Sequence, residues 1–233
     1  METVFAFCEH GDEISVQKDE HLSLAIEGPF AEQLKDQDNI IVNAARLLSE
    51  TNGAALHLIK NLPVASGIGG GSADAAATLR ILSKLWNLDL PMLQAQRSLG
   101  ADVPSCVLSQ TMRGTGIGEN LVPETPVTGT PVLLVNPRVP LSTAAVFARW
   151  DGNDRGPLGD WRVGRNDLEI AARAIVPEIG SVLDWMAGQR GVTVARMSGS
   201  GATCFALFET LAARDVAQAA VPSGYWAMAS TLR

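Results

Sequence analysis

Residues 63–77 read PVASGIGGGSADAAA, a glycine-rich loop that runs directly into an alanine-rich helix. Gly67, Gly69, Gly70 and Gly71 leave the backbone free to take positive φ, so successive N–H groups can turn toward one anion. A helix beginning near Ser72 adds the unpaired amides of its first turn and the positive end of its dipole. The stretch therefore reads as a phosphate cradle made of main chain. Its candidate nucleotide-binding residues are Pro63, Val64, Ala65, Ser66, Gly67, Ile68, Gly69, Gly70, Gly71, Ser72 and Ala73. Ser66 and Ser72 offer hydroxyls to a phosphate or to an accompanying Mg²⁺. A P-loop is excluded, because no Lys follows these glycines, and a dinucleotide fingerprint is excluded because Ser72 stands where the third glycine belongs. A tight strand-to-helix turn packed for steric reasons alone is the competing reading.

Composition sets the outer bounds. At 233 residues the chain has length for one large domain or two small ones. Hydrophobic residues at 46% and charged residues at 18% describe a core-forming globular protein rather than a disordered one. A formal net charge of −7, with no Lys/Arg cluster, argues against a general nucleic-acid binder. The three cysteines, Cys8, Cys106 and Cys204, are far apart and show no metal-ligand spacing, so neither a zinc site nor a disulfide framework is expected, and no metal ligands are assigned. A reducing, cytoplasmic location follows from that usage. No apolar run reaches the roughly 20 residues of a membrane helix, and no secretory leader pattern opens the chain. His10, His21 and His57 read as surface or strand residues.

Periodicity gives a coarse element order. Strands are expected at 3–8, 13–16, 22–26 and 56–59, with a turn at His10-Gly11-Asp12. Asp38 or Asn39 caps a helix whose apolar face is Ile40, Ile41, Ala44, Ala45, Leu47 and Leu48, ended by Gly53. After the glycine loop a helix over 72–86 turns Ala75, Ala76, Leu79, Leu82 and Leu85 to the core. Pro91 opens a short helix ending at Leu99-Gly100. A strand at 132–135, a helical turn at 143–147, a glycine-rich lid-like excursion at 149–165 and helices at 168–174, 179–187 and 211–220 follow. Strands at 192–197, 204–208 and 225–231 complete the set. Trp86 and Trp185 read as helix-borne core, while Trp150 and Trp161 flank the excursion. Strands and helices do not alternate regularly, so mixed sheets with helices on one side, an α+β fold, are favoured over a doubly wound sheet.

The loop resembles the phosphate loop of the GHMP kinase superfamily, the galactose, homoserine, mevalonate and phosphomevalonate kinases. QDNIIVNAARLL (37–48), LGADVPSCV (99–107), RGTGIGENL (113–121), PRVPLSTAAVF (137–147), NDLE (166–169) and RMSGSGATCFALF (196–208) then occur in the order of one branch. That branch phosphorylates the 2-hydroxyl of a cytidine-diphosphate-linked methylerythritol in non-mevalonate isoprenoid precursor biosynthesis. The resemblance implies a two-lobed α+β fold, with an N-terminal lobe of ribosomal-protein-S5-like type over 1–130 and a C-terminal ferredoxin-like lobe over 131–233, the active site lying between them. It implies ATP and Mg²⁺ as cofactors, a small-molecule substrate, and a monomer or homodimer. A catalytically impaired nucleotide-binding remnant, or another GHMP kinase, is the alternative.

Phosphoryl transfer needs phosphates held, their charge compensated and an acceptor hydroxyl aligned. Asp102, in Gly100-Ala101-Asp102-Val103-Pro104, is the candidate base by its match to the family; Asp before Val-Pro also suits a helix cap. Gly199, Ser200 and Gly201 form a small-residue turn matching the family's late glycine motif, or simply a β-turn. Gly114, Gly116 and Gly118 read as a weaker signal of the same kind or a bent strand. Asn39 and Ile40 match the adenine-side segment, Asn39 being equally a good cap. Thr143 matches a position near the methylerythritol phosphate, and its hydroxyl, with Gly199 and Ser200, is a candidate substrate contact.

One departure stands out. The family opens with a strand carrying Ala-Lys-(Ile/Leu)-Asn-Leu and then Asp-Gly-Tyr-His, whereas METVFAFCEHGDEISV matches the strand just after. Roughly forty family residues, including a catalytic Lys and the cytosine-holding groups, have no counterpart here. A start codon placed too far downstream is the expected reason, and the unpaired sheet edge is expected to lower solubility relative to an extended chain.

Overall fold

The computed structural model describes residues 2–34, 38–116, 118 and 120–233. In chain order the elements are β1 (Glu2–Phe5), β2 (Glu13–Lys18), β3 (Leu22–Glu27), a 3-10 turn (Ala31–Leu34), α1 (Ile40–Leu48), β4 (Ala54–Ile59), α2 (Gly70–Trp86), α3 (Leu93–Leu99) and α4 (Val103–Leu108). Then come β5 (Met112–Thr115), β6 (Asn120–Pro123), β7 (Pro131–Asn136), α5 (Thr143–Arg149), α6 (Glu169–Ile175), α7 (Glu178–Ala187), β8 (Val192–Met197), β9 (Cys204–Phe208), α8 (Leu211–Ala219) and β10 (Trp226–Thr231). The α+β class is as expected. Among the described residues no helix is long and apolar enough to cross a membrane.

The chain forms two compact units, and they are not divided by one cut such as that expected near Thr130. One comprises Gly11–Val64 and Gly69–Pro123; the other comprises Glu2–His10, Ala65–Ile68 and Glu124–Arg233. Main-chain bonds explain the two early insertions. The amide of Arg233 donates to Phe7 and that of Glu9 to Thr231, both at 2.9 Å, so residues 7–9 run along the C-terminal end. The amide of Thr203 donates to the carbonyl of Ser66 at 3.1 Å, which ties the middle of the glycine loop to the region of β9.

In the first unit β4 is the central strand, antiparallel to β2 and parallel to β3. Its alternation follows from the strand period: Ala54, Leu56 and Leu58 are buried, while Ala55, His57 and Ile59 are half-buried. The buried face meets Ile41 and Ala45 of α1 and Leu82 of α2. Asn39 caps α1, its side-chain oxygen accepting from the Ile41 amide at 2.9 Å; Asp38, the other cap candidate, is exposed and stands one residue before the cap. Asn39→Ala therefore costs about 1 kcal/mol of stability while Asn39→Asp costs a few tenths, to be read by urea denaturation. An equal loss in both variants overturns the cap assignment.

In the second unit β7, β8, β9 and β10 make an antiparallel sheet in the order β10-β7-β9-β8. With helices between β7 and β8 and α8 between β9 and β10, this is the split βαβ, ferredoxin-like connectivity. Every residue of β7 is buried. Leu133 and Val135 pack with Ile179, Val182 and Met186 of α7 and with Ala206 and Phe208 of β9.

Several boundaries moved. The helix after the loop begins at Gly70, two residues before the expected Ser72, because an α-helical first turn asks nothing of its side chains and glycine can occupy it. Pro91 lies outside α3, whose N-cap is Met92. The strand expected over 3–8 stops at Phe5, with Cys8 keeping a single bridge to Leu232. The helical turn at 143–147 extends to Arg149. The hairpin β5–β6, antiparallel with Gly114 opposite Leu121, was legible only as a bent strand.

Candidate active site

The chain leaves β4 through Lys60-Asn61-Leu62 and enters the loop at Pro63. Ala65, Gly67 and Gly69 take left-handed φ of 50°, 78° and 69°. Alternation of left-handed with ordinary residues turns consecutive amides to one side, the geometry of an anion nest. Gly69 is the N-cap of α2 and supplies no side-chain cap. The Ala73 amide donates back to the Gly69 carbonyl at 2.9 Å, while among the described residues the amides of Gly70, Gly71 and Ser72 find no acceptor in the protein. The 17-residue helix α2 thus presents its positive end with three amides free.

The middle of this loop is held by the second small-residue turn. Ser198 Oγ donates to the Gly67 carbonyl at 2.9 Å. A Cβ placed on Gly199 would stand 2.8 Å from the Gly67 oxygen, and one on Gly67 would stand 2.4 Å from the Gly201 oxygen, so both turns need glycine to approach each other. Asn166 supports the turn from behind. Its Nδ2 donates to the carbonyls of Met197 at 2.9 Å and Gly199 at 2.8 Å, and its Oδ1 accepts from the Leu168 amide at 3.0 Å. The hydroxyls of Thr143 and Ser200, two of the candidate substrate contacts, meet at 2.9 Å.

Asp102 lies in the turn between α3 and α4. The turn borders the start of α2: a Cβ on Gly100 would stand 3.5 Å from Ser72 Oγ. Asp102 occupies the N-cap position of α4, yet its side chain makes no cap bond; the turn is closed by its carbonyl, which accepts from Cys106 N and Ser105 Oγ. Among the described residues its carboxylate has no hydrogen bond or ion pair. It is half-buried, and burial pushes its pKa above the ordinary carboxylate value. A carboxylate left without a structural partner and shifted toward neutrality is suited to accept a proton.

Sequence reasoning passed over a charged cluster at the two flanks of the loop. Lys60 Nζ donates to Asp12 Oδ2 at 2.5 Å and to Asp74 Oδ2 at 2.9 Å, all three side chains being at most 6% exposed. Asp12 Oδ1 also accepts from the amides of Asn61 at 2.7 Å and Leu62 at 2.9 Å. A legible signal existed: Asp74, Thr78 and Leu82 share one helical face, so an Asp on the buried side of an alanine-rich helix calls for a cation.

The cysteines take no part in nucleophilic chemistry. Burial pushes Cys106 and Cys204 up to about 12 and Cys8 up to about 11, so all three are thiols at neutral pH. Gly116 and Gly118 take left-handed φ of 75° and 100° in the turn after β5, and a Cβ on Gly118 would lie 3.5 Å from the Ala101 carbonyl oxygen. Among the described residues no three His, Cys, Asp or Glu side chains gather as a metal site.

Comparison with known proteins agrees with this geometry. Residues 39–110 match the GHMP kinases N terminal domain and residues 148–226 the GHMP kinases C terminal domain. The chain is 46% identical over 241 residues to the 4-diphosphocytidyl-2-C-methyl-D-erythritol kinase of Novosphingobium aromaticivorans, the match covering 100% of this chain and 84% of that protein. It is also 46% identical over 254 residues to the corresponding kinase of Rhizorhabdus wittichii, covering 100% of this chain and 86% of the relative. A crystal structure of 4-(cytidine 5'-diphospho)-2C-methyl-D-erythritol kinase superposes with a TM-score of 0.85 at 29% identity, over 99% of this chain and 89% of the other. The chain belongs to the GHMP kinases and, within them, to the 4-diphosphocytidyl-2-C-methyl-D-erythritol kinase family. It is accordingly an ATP-dependent small-molecule kinase.

Proposed function

We propose that this protein transfers the γ-phosphoryl group of ATP to the 2-hydroxyl of 4-diphosphocytidyl-2-C-methyl-D-erythritol, a step in non-mevalonate isoprenoid precursor synthesis. The observation that carries the reading is the pairing of three acceptor-less amides at the head of α2 with an unpartnered, half-buried carboxylate on the adjoining turn.

The division of labour follows from charge. Amides of the nest and of the first turn of α2 draw in the phosphates and offset the negative charge that spreads over the transferred group. They are fixed in place before the ligand arrives, so little reorganisation is needed. Asp102 accepts the proton of the attacking hydroxyl, and its upward pKa shift makes it a stronger base than a free aspartate. Thr143 Oγ1 and Ser200 Oγ, with the Gly199 backbone, orient the acceptor. Mg²⁺ is the expected companion of ATP: the Ser72 hydroxyl and the Asp102 carboxylate are the hard oxygen donors it prefers. When bound, that ion supplies additional charge compensation on the phosphates. We place the enzyme in the cytoplasm, acting on a small molecule rather than a nucleic acid, as a monomer or homodimer.

A coupled assay for ADP release tests the assignment. ADP is expected to appear only when ATP and the cytidine-diphosphate-linked methylerythritol are both present, with homoserine and mevalonate giving none. Release with either of those alcohols, or none with the cytidine-linked one, overturns it.

A further inference from the structure

We propose that the buried Asp12–Lys60–Asp74 cluster is a positioning device for the phosphate loop, in which the Lys60 ammonium staples the start of α2 to the end of β4. The proposal rests on the reading that the loop holds ATP phosphates.

The topology makes the role specific. Lys60 is the residue after β4 and precedes the loop by three positions; Asp74 is in the second turn of α2, just after the loop ends. One ammonium therefore bridges the two flanks of an otherwise glycine-rich segment. Asp12, from the turn before β2, fixes that ammonium and also caps the amides of Asn61 and Leu62, so the approach to the loop is held on the same carboxylate. The cluster sits directly below the loop's exit: a Cβ on Gly70 would lie 3.4 Å from Lys60 Nζ and 3.5 Å from Asp12 Oδ2. Glycines lose more chain entropy on ordering than other residues. Four of them between two unpinned ends would spread their amides over many orientations, and a preformed anion nest needs the ends fixed.

A buried ion pair is weak grounds for stability, since desolvation offsets the Coulomb gain. What such a pair supplies is a defined geometry. The carboxylate of Asp74 illustrates the tension: burial pushes it up to about 6, Lys60 pulls it down and Asp12 pushes it up again. Cys106 of α4 also faces it, as an uncharged thiol, and Asp102 stands at the head of that helix; α1 carries Arg46 in its last turn and β2 carries Glu13 and Lys18. A pH of 8 keeps the stapling carboxylate ionised.

Two substitutions at one position separate stapling from charge. Asp74→Asn and Asp74→Ala remove the same charge, but Asn retains an acceptor for Lys60 and Ala does not. Lys60 stays paired with Asp12 in both, and Ala suits an alanine-rich helix. Binding of ADP at pH 8 is measured by titration calorimetry, with folding followed by near-ultraviolet circular dichroism. Asp74→Asn is expected to bind ADP within about threefold of wild type, and Asp74→Ala about tenfold or more weaker while still folded, a loss of the size preorganisation carries. Equal affinities in the two variants overturn the proposal, because a cluster that only stabilises the fold would lower the melting temperature and leave binding by the folded protein unchanged. Should Asp74→Ala not fold, Lys60→Met combined with Asp74→Asn, which keeps the wild-type cluster charge, is held to the same tenfold expectation. Failure of that variant to fold as well assigns the cluster to stability and overturns the proposal. Wild-type protein that binds no ADP sinks the nucleotide reading itself, a result the stapling arms cannot produce.

Discussion

Asp102→Asn is expected to lower kcat by about 10²–10⁴-fold, the range that general-base assistance is worth, with ADP affinity unchanged. Asn has the shape of Asp and cannot take the hydroxyl proton. The substitution isolates chemistry from architecture because the Asp102 side chain makes no cap bond and no ion pair among the described residues; the turn is held by its carbonyl instead. A residue that served only to start α4 would show the reverse pattern, a loss of stability with turnover intact. The stability arm has its own sign. Burial raises the folded-state pKa of Asp102, so ionisation is harder in the folded than in the unfolded protein. Its unfavourable contribution is absent below the unfolded pKa and grows as pH rises through the folded one. Asp102→Asn should therefore melt at or above the wild-type temperature at pH 7, with the advantage vanishing toward pH 3. A kcat within about threefold of wild type removes Asp102 from the base role, since that is far less than a general base supplies.

How much of this was readable beforehand depended on whether the physics is local. The nest was legible because positive φ leaves a mark in composition: Gly67 and Gly69 are glycine and left-handed, as read. Ala65 carries the same φ with a methyl group, and composition gave no hint of it. The alternation of Leu22, Leu24 and Ile26 and the cap at Asn39 are short-range signals, and both elements formed where expected. What the residues could not announce is pairing over long separations. Asp12 meets Lys60 across 48 positions and Ser198 reaches Gly67 across 131. Asn166 was visible only inside a family-like NDLE string, and its hold on Met197 and Gly199 emerged from the fold. The α+β class and the kinase family were legible because they rest on many local motifs in order. The staple was not, because one Asp among alanines has meaning only when its partner is known.

Gly67→Ala should abolish measurable nucleotide binding, by about 100-fold or more, and destabilise the protein by about 3 kcal/mol or more. Two costs add at this position. The left-handed φ of 78° penalises any L side chain by about 1–2 kcal/mol. The new Cβ would also lie 2.4 Å from the Gly201 carbonyl oxygen and 2.8 Å from its nitrogen and carbon, all main-chain atoms that no rotamer change can move aside. The loop must shift, and the amides it aims shift with it. Gly71→Ala is the control that turns this into a statement about function. A Cβ there meets nothing within 4 Å, and its φ is outside the left-handed region. Ala is the better helix former by up to about 1 kcal/mol, so Gly71→Ala should be as stable as wild type or more so. Its amide is one of the three without an acceptor, and a methyl group beside it crowds the space a phosphate would fill. Affinity for ADP should fall by about tenfold in a protein that melts no lower, the loss a blocked charge-assisted contact brings. Wild-type affinity in Gly71→Ala would move the phosphates away from the head of α2, and the loss in Gly67→Ala would then report nothing but a broken fold.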